Sequence, residues 1–290
     1  MKLINQSFEI LEQKDFTLKG IKQFIERCAR VSYKSEDRMT DTSYEKFVGM
    51  LENRDHARPL EFGTVHLRMS DAQFETLQTL LMDSKVYNDY WIGYNVIDTE
   101  DEDNCYVTTN YRYYLEMCKY AVWLPMHLDK SDSPFYPKRY TVHMILDRGV
   151  MDEFRTHVGL SHLAESTRYC NYSKDKFDNQ VTFVIPCWVN THCPTKESEG
   201  PSIADLEWSE AMGFSEKYYF SLLAKGWTPQ QARSVLPLGV KSELISCGFA
   251  DAWENFFYRR DARDAHPMAQ EIARPMHREF IKRKYINEEA

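Results

Sequence analysis

One segment of the chain, from Arg155 to Ser173, is rich in residue types that bind anions. It carries several hydroxyl groups, Arg168 and two histidines, His157 and His162, directly after a predicted strand and helix. Guanidinium and hydroxyl groups at this density suit an anion or phosphate site better than a hydrophobic core. The alternative interpretation is an exposed polar turn that contains one structural arginine.

Two further arginines lie in apolar surroundings. Arg233 is the single charge between Ala232 and Pro237, and Arg260 ends a predicted helix that contains Asn255. A buried arginine requires an anionic partner, because an unpaired buried charge is strongly unfavourable. That partner is either a protein carboxylate or the phosphate of a ligand, and the sequence leaves both open.

Hydrophobic periodicity predicts the elements that position these side chains. Apolar residues at helical spacing predict helices at 17–31, 44–53 and 71–83, and residues typical of strands predict strands at 61–69, 139–146 and 180–186. A helix follows the second strand through Met151, Phe154 and His157. A capping box predicts a helix start at Thr228, and further helices are predicted near 250–262 and 267–284. Without a regular βαβ rhythm, the predicted class is α+β.

Composition limits the classes of protein. The 290 residues include 36 Lys or Arg and 44 Asp or Glu, a formal net charge of −8, and 43% of them are hydrophobic. These values exclude a disordered or fibrous chain and disfavour nucleic-acid binding. Without a membrane-length apolar run or a signal peptide, we expect no membrane binding and a cytoplasmic location, in the host cytoplasm for a viral protein. Seven cysteines without a CxxC pair predict reduced thiols.

The arginine- and hydroxyl-containing segment carries a family resemblance. It reads Thr156-His157-Val158, seven further residues, and then Ser166-Thr167-Arg168-Tyr169. This resembles the signature of flavin-dependent thymidylate synthases, in which R-H-R and seven residues precede S-x-R-Y. His157 keeps the central histidine, whereas Thr156 and Val158 replace the two arginines.

Other segments are similar to that family in the same order along the chain. They are Cys28–Tyr33 (A-R-V-S), His56–Phe62 (H-x-S/T-P-F-E-H), Ala232–Pro237 (A-R-x-V-L-P) and Asn255–Arg260 (N-F-L-x-x-R). The resemblance implies one catalytic domain over residues 1–290 with the family's fold, a mixed or antiparallel sheet flanked by helices. Residues 70–138 lie outside the resemblance, and we interpret them as an insertion.

The resemblance implies a methyltransferase that converts dUMP to dTMP. Methylenetetrahydrofolate would supply the carbon, and NADPH the reducing equivalents through FAD, in a homotetramer whose active sites lie between subunits. Carried over by position, the residues that bind the pyrimidine deoxynucleotide monophosphate are Glu153, Ser166, Thr167, Arg168, Arg233 and Arg260. Of these, Ser166 and Arg260 would be catalytic by position. The guanidinium of Arg260 at the uracil ring would stabilise the negative charge that develops there. The flavin would contact Thr64, His157 and Asn255.

Several positions depart from the family pattern. Phe62 stands where the family has a flavin-contacting histidine, and Phe249-Ala250-Asp251 replaces its N-A-R segment. Glu153 stands where the family has glutamine, and an ionised carboxylate favours a base with a donor edge, such as the cytosine amine. Besides dUMP methylation, two hypotheses therefore stay open. One is modification of another pyrimidine nucleotide or with another one-carbon group, and the other is a catalytically inactive relative that binds a nucleotide.

Cysteines offer two further candidates. Cys170 lies beside Arg168, so it is either a thiolate nucleophile for a pyrimidine ring or an inert buried thiol. Cys187, His192 and Cys193 are candidate metal ligands, but their spacing does not match a structural zinc site. We predict no metal.

Overall fold

The computed structural model describes residues 1–53, 57–82, 94–97, 104–166, 168, 170–191 and 200–287. Its strands are β1 (Lys2–Ile4), β2 (Ser7–Leu11), β3 (Thr64–Met69), β4 (Tyr94–Ile97), β5 (Cys105–Asn110), β6 (Leu128–Asp129), β7 (Arg139–Asp147), β8 (Ser161–Ala164), β9 (Thr182–Val184) and β10 (Lys241–Phe249). Its helices are α1 (Leu18–Tyr33), α2 (Ser43–Asn53), α3 (Asp71–Met82), α4 (Tyr111–Tyr120), α5 (Arg148–Arg155), α6 (Ile203–Ala224), α7 (Pro229–Ala232), α8 (Ala250–Arg260) and α9 (Pro267–Lys282).

Two four-stranded antiparallel sheets organise these elements. One has the strand order β2-β7-β10-β8, and the other has the order β4-β5-β3-β6. In the first sheet, β10 pairs with β7 along its whole length, from Lys241 opposite Asp147 to Phe249 opposite Arg139. The short strands β1 and β9 pair in parallel. Helices flank the sheets, so the predicted α+β class is confirmed.

Side-chain caps begin the helices that lead to the candidate site. Asp147 accepts a hydrogen bond from the Val150 amide at 2.7 Å and begins α5. At Thr228 the predicted capping box is present, and the Thr228 amide donates to the Gln231 side chain at 2.9 Å. Such caps satisfy amides that have no partner within the helix. The predicted start of α7 is therefore confirmed.

Other predicted elements differ in extent. The strand predicted at 61–69 begins only at Thr64, because Pro59 lies in a 3₁₀ turn over Arg58–Phe62. The helix predicted through His157 ends at Arg155, and the chain turns at Gly159, whose φ of 101° suits glycine. The helix at Thr228 is only one turn long, and the strand at 180–186 shortens to β9.

Two long elements are not predicted from periodicity. β10 is buried at every residue after Lys241, because both faces of this central strand are covered, and its side chains therefore do not alternate between apolar and polar. α6 buries only Met212 and Tyr219 among its described residues. This helix has no clear apolar face, so its sequence lacks the apolar residues at helical spacing that would predict it.

Residues 70–138 are more regular than the sequence indicates. They supply α3, β4, β5, α4 and β6, and β5 pairs with β3. Val107 and Tyr113 from this region share one hydrophobic cluster with Ile25 of α1 and Ile245 of β10. The acidic run at 98–103 lies outside the described residues. Among the described residues, none of the helices combines the length and apolar character that crossing a bilayer requires.

Candidate functional site

Arg260 and Glu153 form an ion pair between α8 and α5. The Arg260 guanidinium donates through Nη1 to the Glu153 carboxylate and through Nη2 to the Glu153 main-chain carbonyl, the latter at 3.1 Å. The guanidinium carbon lies 5.9 Å from the centre of the Phe154 ring. Only 17% of the Arg260 side chain is exposed. For this arginine, the anionic partner that burial requires is therefore a carboxylate of the protein.

His157 lies near this pair, against α8. Its ring meets Phe256 edge-on, with centroids 5.4 Å apart, and only 6% of the residue is exposed. Burial and the neighbouring charge of Arg260 lower the pKa of His157 to about 4, so it is neutral at pH 7. Its Nε2 has no hydrogen-bond partner among the described residues. The structure thus brings the predicted residues Glu153, His157 and Arg260 together.

A second group of predicted residues follows β8. Arg168 is exposed and donates from Nε to the Gln230 side chain at 3.3 Å. Gln230 lies on α7, about one helical turn before Arg233, which is half-buried. Ser166, two residues before Arg168 in the chain, is half-buried. Thr167, also predicted to contact the substrate, lies outside the described residues.

Cys170 lies behind Ser166 and is buried. Its thiol donates to the Glu165 carboxylate at 3.1 Å and contacts the Ser166 carbonyl at 3.4 Å. Burial and the charge of Glu165 raise the pKa of this thiol far above its ordinary value. A nucleophilic cysteine needs the opposite shift. The structure therefore favours the inert buried thiol, and the acidifying effect expected from Arg168 is absent.

A buried ionic network holds the segment that leads to Ser166. Lys241 contacts the carboxylates of Glu165, at 3.1 Å, and Glu243, while Lys34 pairs with Glu243. Nε2 of His143 lies 2.9 Å from the Glu243 carboxylate. Burial raises the pKa of Glu243, but the His143 hydrogen bond and the two lysines outweigh it and hold the pKa well below its ordinary value. Although burial lowers the pKa of Lys241, its two carboxylate partners raise it overall.

The residues predicted to contact a flavin lie in two parts of the chain. The amide and carbonyl of Thr64 are each bonded to the Gln13 side chain at 2.8 Å, and its hydroxyl accepts from Arg139 at 3.3 Å. His157 is buried against α8, and only Asn255 is exposed, where it accepts from Arg259 at 3.3 Å. All three residues stay predictions as flavin contacts.

Sequence reasoning does not identify Gln230 or the ionic network. In the sequence, Gln230 is only a member of a capping segment, although its side chain accepts a hydrogen bond from Arg168. The network depends on β10, which contributes Lys241 and Glu243 and whose pattern does not predict a strand. The one available signal is Glu165, a charged residue next to Ser166 in the motif.

Comparison with known protein families shows the family to which a chain with these two groups of residues belongs. The family model described as thymidylate synthase complementing protein matches residues 122–283, more than half of the chain. The chain belongs to this family. The match contains both groups of predicted residues and confirms the resemblance that the motifs carry, while Thr64 lies before the matched region.

Two solved structures are similar to this member of the thymidylate synthase complementing family. One is a UMP/dUMP methylase PolB from Streptomyces cacaoi bound with 5-Br UMP, 16% identical with a TM-score of 0.44, over 97% of this chain and 92% of that chain. The other is the same methylase bound with 5-Br dUMP. It is 18% identical with a TM-score of 0.41, and the match covers 97% of this chain and 93% of that chain. Comparison with curated proteins yields no match.

The structure shows what occupies two positions that depart from the thymidylate synthase complementing family's R-H-R pattern. Thr156 donates from its hydroxyl to the Glu153 carbonyl at 2.7 Å, which ends α5. Val158 is 65% exposed. A large exposed apolar side chain in place of an arginine removes a cation from this surface, so an anion near it loses one possible partner.

Proposed function

We propose that this protein methylates C5 of a pyrimidine deoxynucleotide monophosphate, with dUMP as the first candidate substrate. The observation that carries the proposal is the hydrogen bond from Arg168 to Gln230 on α7, the helix that directly precedes Arg233, inside the region matched by the family model. Two guanidinium groups offer a phosphate monoester forked, permanently charged donors. Ser166 and Thr167 would add contacts to the same phosphate and sugar, and Ser166 is assigned a catalytic role by position.

The other end of the nucleotide is assigned to Arg260 and Glu153. In this proposal Arg260 faces the pyrimidine ring, where a cation stabilises negative charge that develops during attack. Methylenetetrahydrofolate would supply the carbon, and NADPH with FAD the reducing equivalents, because protein side chains do not carry out this redox chemistry. His157, Thr64 and Asn255 stay predictions as flavin contacts, and a second copy of the chain is needed to complete such a site.

A second candidate substrate follows from the observed ion pair. Glu153 is bonded to Arg260, so the base pocket contains a carboxylate that only accepts hydrogen bonds. Such a group fits the exocyclic amine of cytosine better than the carbonyl of uracil. A cytosine nucleotide, or a different one-carbon group on either base, is therefore the alternative to dUMP.

A homotetramer is part of the proposal. Helix α6 exposes large apolar side chains, namely Ile203, Leu206, Phe214 and Tyr218. Exposed apolar surface of this kind is typical of faces that another protein chain covers. Sedimentation velocity of the purified protein is expected to show a tetramer, and a monomer at all concentrations would contradict an active site shared between subunits.

The first experiment is a visible absorption spectrum of the purified protein, before and after addition of FAD and dUMP and removal of free flavin. Bound flavin whose spectrum shifts with dUMP supports the proposal. Turnover is then measured with dUMP, UMP and dCMP in the presence of methylenetetrahydrofolate and NADPH. Product from dCMP alone establishes the second candidate, and nucleotide binding without flavin or product establishes an inactive relative.

A further inference from the structure

A cavity of about 900 Å³ lies at the C-terminal end of α1, and its lining includes none of the predicted substrate-binding residues described above. It is bounded by α1, α2, the turn between them and the segment before β9. Its charged lining residues are all cationic: Arg30, Lys34, Arg38, Lys46 and Lys176. In a chain with a net charge of −8, such a concentration of positive charge indicates a site for an anion.

The inner cations are held in place by the protein. Arg30 is bonded to Glu26, at 2.8 Å from Nε, and to the Ser35 carbonyl at 3.1 Å, and its guanidinium carbon lies 4.5 Å from the centre of the Phe47 ring. Lys176 donates to the Lys34 carbonyl at 2.9 Å. These contacts order the wall of the cavity before any ligand binds, which reduces the entropy lost on binding.

Lys34 occupies an unusual backbone conformation. It ends α1 with φ of 49° and ψ of 53°, in the left-handed region where glycine or asparagine is the ordinary residue. A lysine at this position is strained, and its ammonium group pairs with the carboxylate of Glu243, a residue that does not line the cavity. The ion pair fixes the Lys34 side chain beside the cavity before a ligand binds.

The outer cations have no such partners. Arg38 and Lys46 are exposed at the mouth of the cavity, and neither has a carboxylate within ion-pair distance in the described part of the chain. Neighbouring like charges repel each other and destabilise the folded protein slightly. A bound polyanion removes that repulsion, so these residues are the best placed to contribute to binding.

One side of the cavity is aromatic. Tyr33 and Phe47 meet edge-to-face with ring centroids 6.1 Å apart, and both are half-buried. We propose that this cavity binds a nucleoside triphosphate, with its phosphates against the cations and its base against the aromatic wall. Arginine and lysine side chains bind phosphate oxygens, and aromatic faces stack on nucleobases. The site is separate from the proposed substrate site, because Arg168, Arg233 and Arg260 do not line it.

Isothermal titration of the full-length protein tests this proposal with dTTP, dCTP, ATP and GTP as probes. The charge variant is Arg38→Gln with Lys46→Gln, and the matched control is Lys225→Gln with Arg278→Gln, which removes the same charge from exposed positions elsewhere. We expect at least one triphosphate to bind about tenfold more tightly than its monophosphate. The charge variant should weaken that binding about tenfold, and the control should change it less than twofold.

Other outcomes overturn the proposal. If the control variant weakens triphosphate binding as much as the charge variant does, the triphosphate is attracted to the overall charge of the protein and not to this cavity. Inorganic triphosphate that binds as tightly as the nucleotide removes the role of the aromatic wall. Loss of triphosphate binding in Arg168→Ala with Arg233→Ala places the nucleotide in the proposed substrate site instead. No binding by any of the four probes to the unaltered protein, with circular dichroism showing that it is folded, also rejects the site.

Discussion

Arg260 is bound by both the side chain and the main chain of a single residue, Glu153. The two residues lie on different helices, 107 positions apart in the chain, and Phe154 packs beside the guanidinium. In the proposed function, the Arg260 guanidinium and the Glu153 carboxylate both face the base, one as a cation and hydrogen-bond donor and the other as an anion and acceptor. The identity of the base is therefore controlled by this pair in the proposed function.

Replacing Glu153 should change the choice of base. Glu153→Gln removes the negative charge and offers a donor to uracil, so kcat/KM for dUMP should rise about tenfold, equivalent to about 1.4 kcal/mol, while that for dCMP falls. Steady-state kinetics with both nucleotides measure the change. Glu153→Asp, which keeps the charge, is the control. An equal loss for both nucleotides in Glu153→Gln would show that the residue only supports the fold.

Removing either phosphate-binding arginine should weaken nucleotide binding. Arg168→Ala and Arg233→Ala should each reduce the binding free energy of the monophosphate by about 1–3 kcal/mol, the size of charge-assisted hydrogen bonds. Titration calorimetry measures the affinities, and Arg278→Ala on the exposed face of α9 is the control. Unchanged isotherms for both variants would reject the substrate site assigned to these residues.

The buried ionic network should contribute strongly to stability. Glu243→Gln leaves Lys34 and Lys241 without one of their partners, and breaking a buried pair in this way costs about 3–5 kcal/mol. Glu36 also faces Lys34, at 3.8 Å, but is exposed, so Glu36→Gln should cost less than about 1 kcal/mol. Urea unfolding of both variants gives the comparison, and similar values would contradict the burial argument.

Acid should destabilise the protein through its buried histidines. Burial lowers the pKa of His162 to about 4, and its ring contacts Ser246 at 2.8 Å and the His157 carbonyl at 3.0 Å. Because the unfolded histidine, with a pKa near 6.5, binds a proton more readily, stability is complete above about pH 6.5 and falls toward pH 4. The loss for His162 is of the order of 3 kcal/mol. The unfolding midpoints of the wild type and of His162→Gln, measured from pH 7 to 4.5, should approach each other as the pH falls. Midpoints that stay equally far apart at every pH would exclude a role for His162 in the acid destabilisation.

Cys170 should be unreactive in the folded protein. Its thiol is buried and its pKa is raised, so little thiolate is present at about pH 8. Iodoacetamide labelling followed by mass spectrometry should modify the exposed Cys187 first and Cys170 only after unfolding. Retention of nucleotide turnover by Cys170→Ala would agree with this assignment, and its complete loss with a native circular dichroism spectrum would restore the nucleophile hypothesis.

Much of the fold was predictable, because helices and their caps depend on residues that lie close together in the sequence. Helical spacing predicted α1, α2, α8 and α9, and the capping box at Thr228 predicted the start of α7. Strand β7 was also predicted, because β-forming residues run without interruption from Arg139. By contrast, β10 was missed because a strand covered on both faces lacks the alternation that marks a half-buried one.

The sequence by itself determined the protein family and the types of residue at the candidate site, since a motif is a property of order along the chain. Only the tertiary structure decided which of these residues are partners. It paired Arg260 with Glu153, linked Arg168 to the Gln230 segment and enclosed Cys170 beside Glu165. Such pairings depend on how helices pack on sheets, and residues about 60 or 107 positions apart leave no trace of their contact in local periodicity.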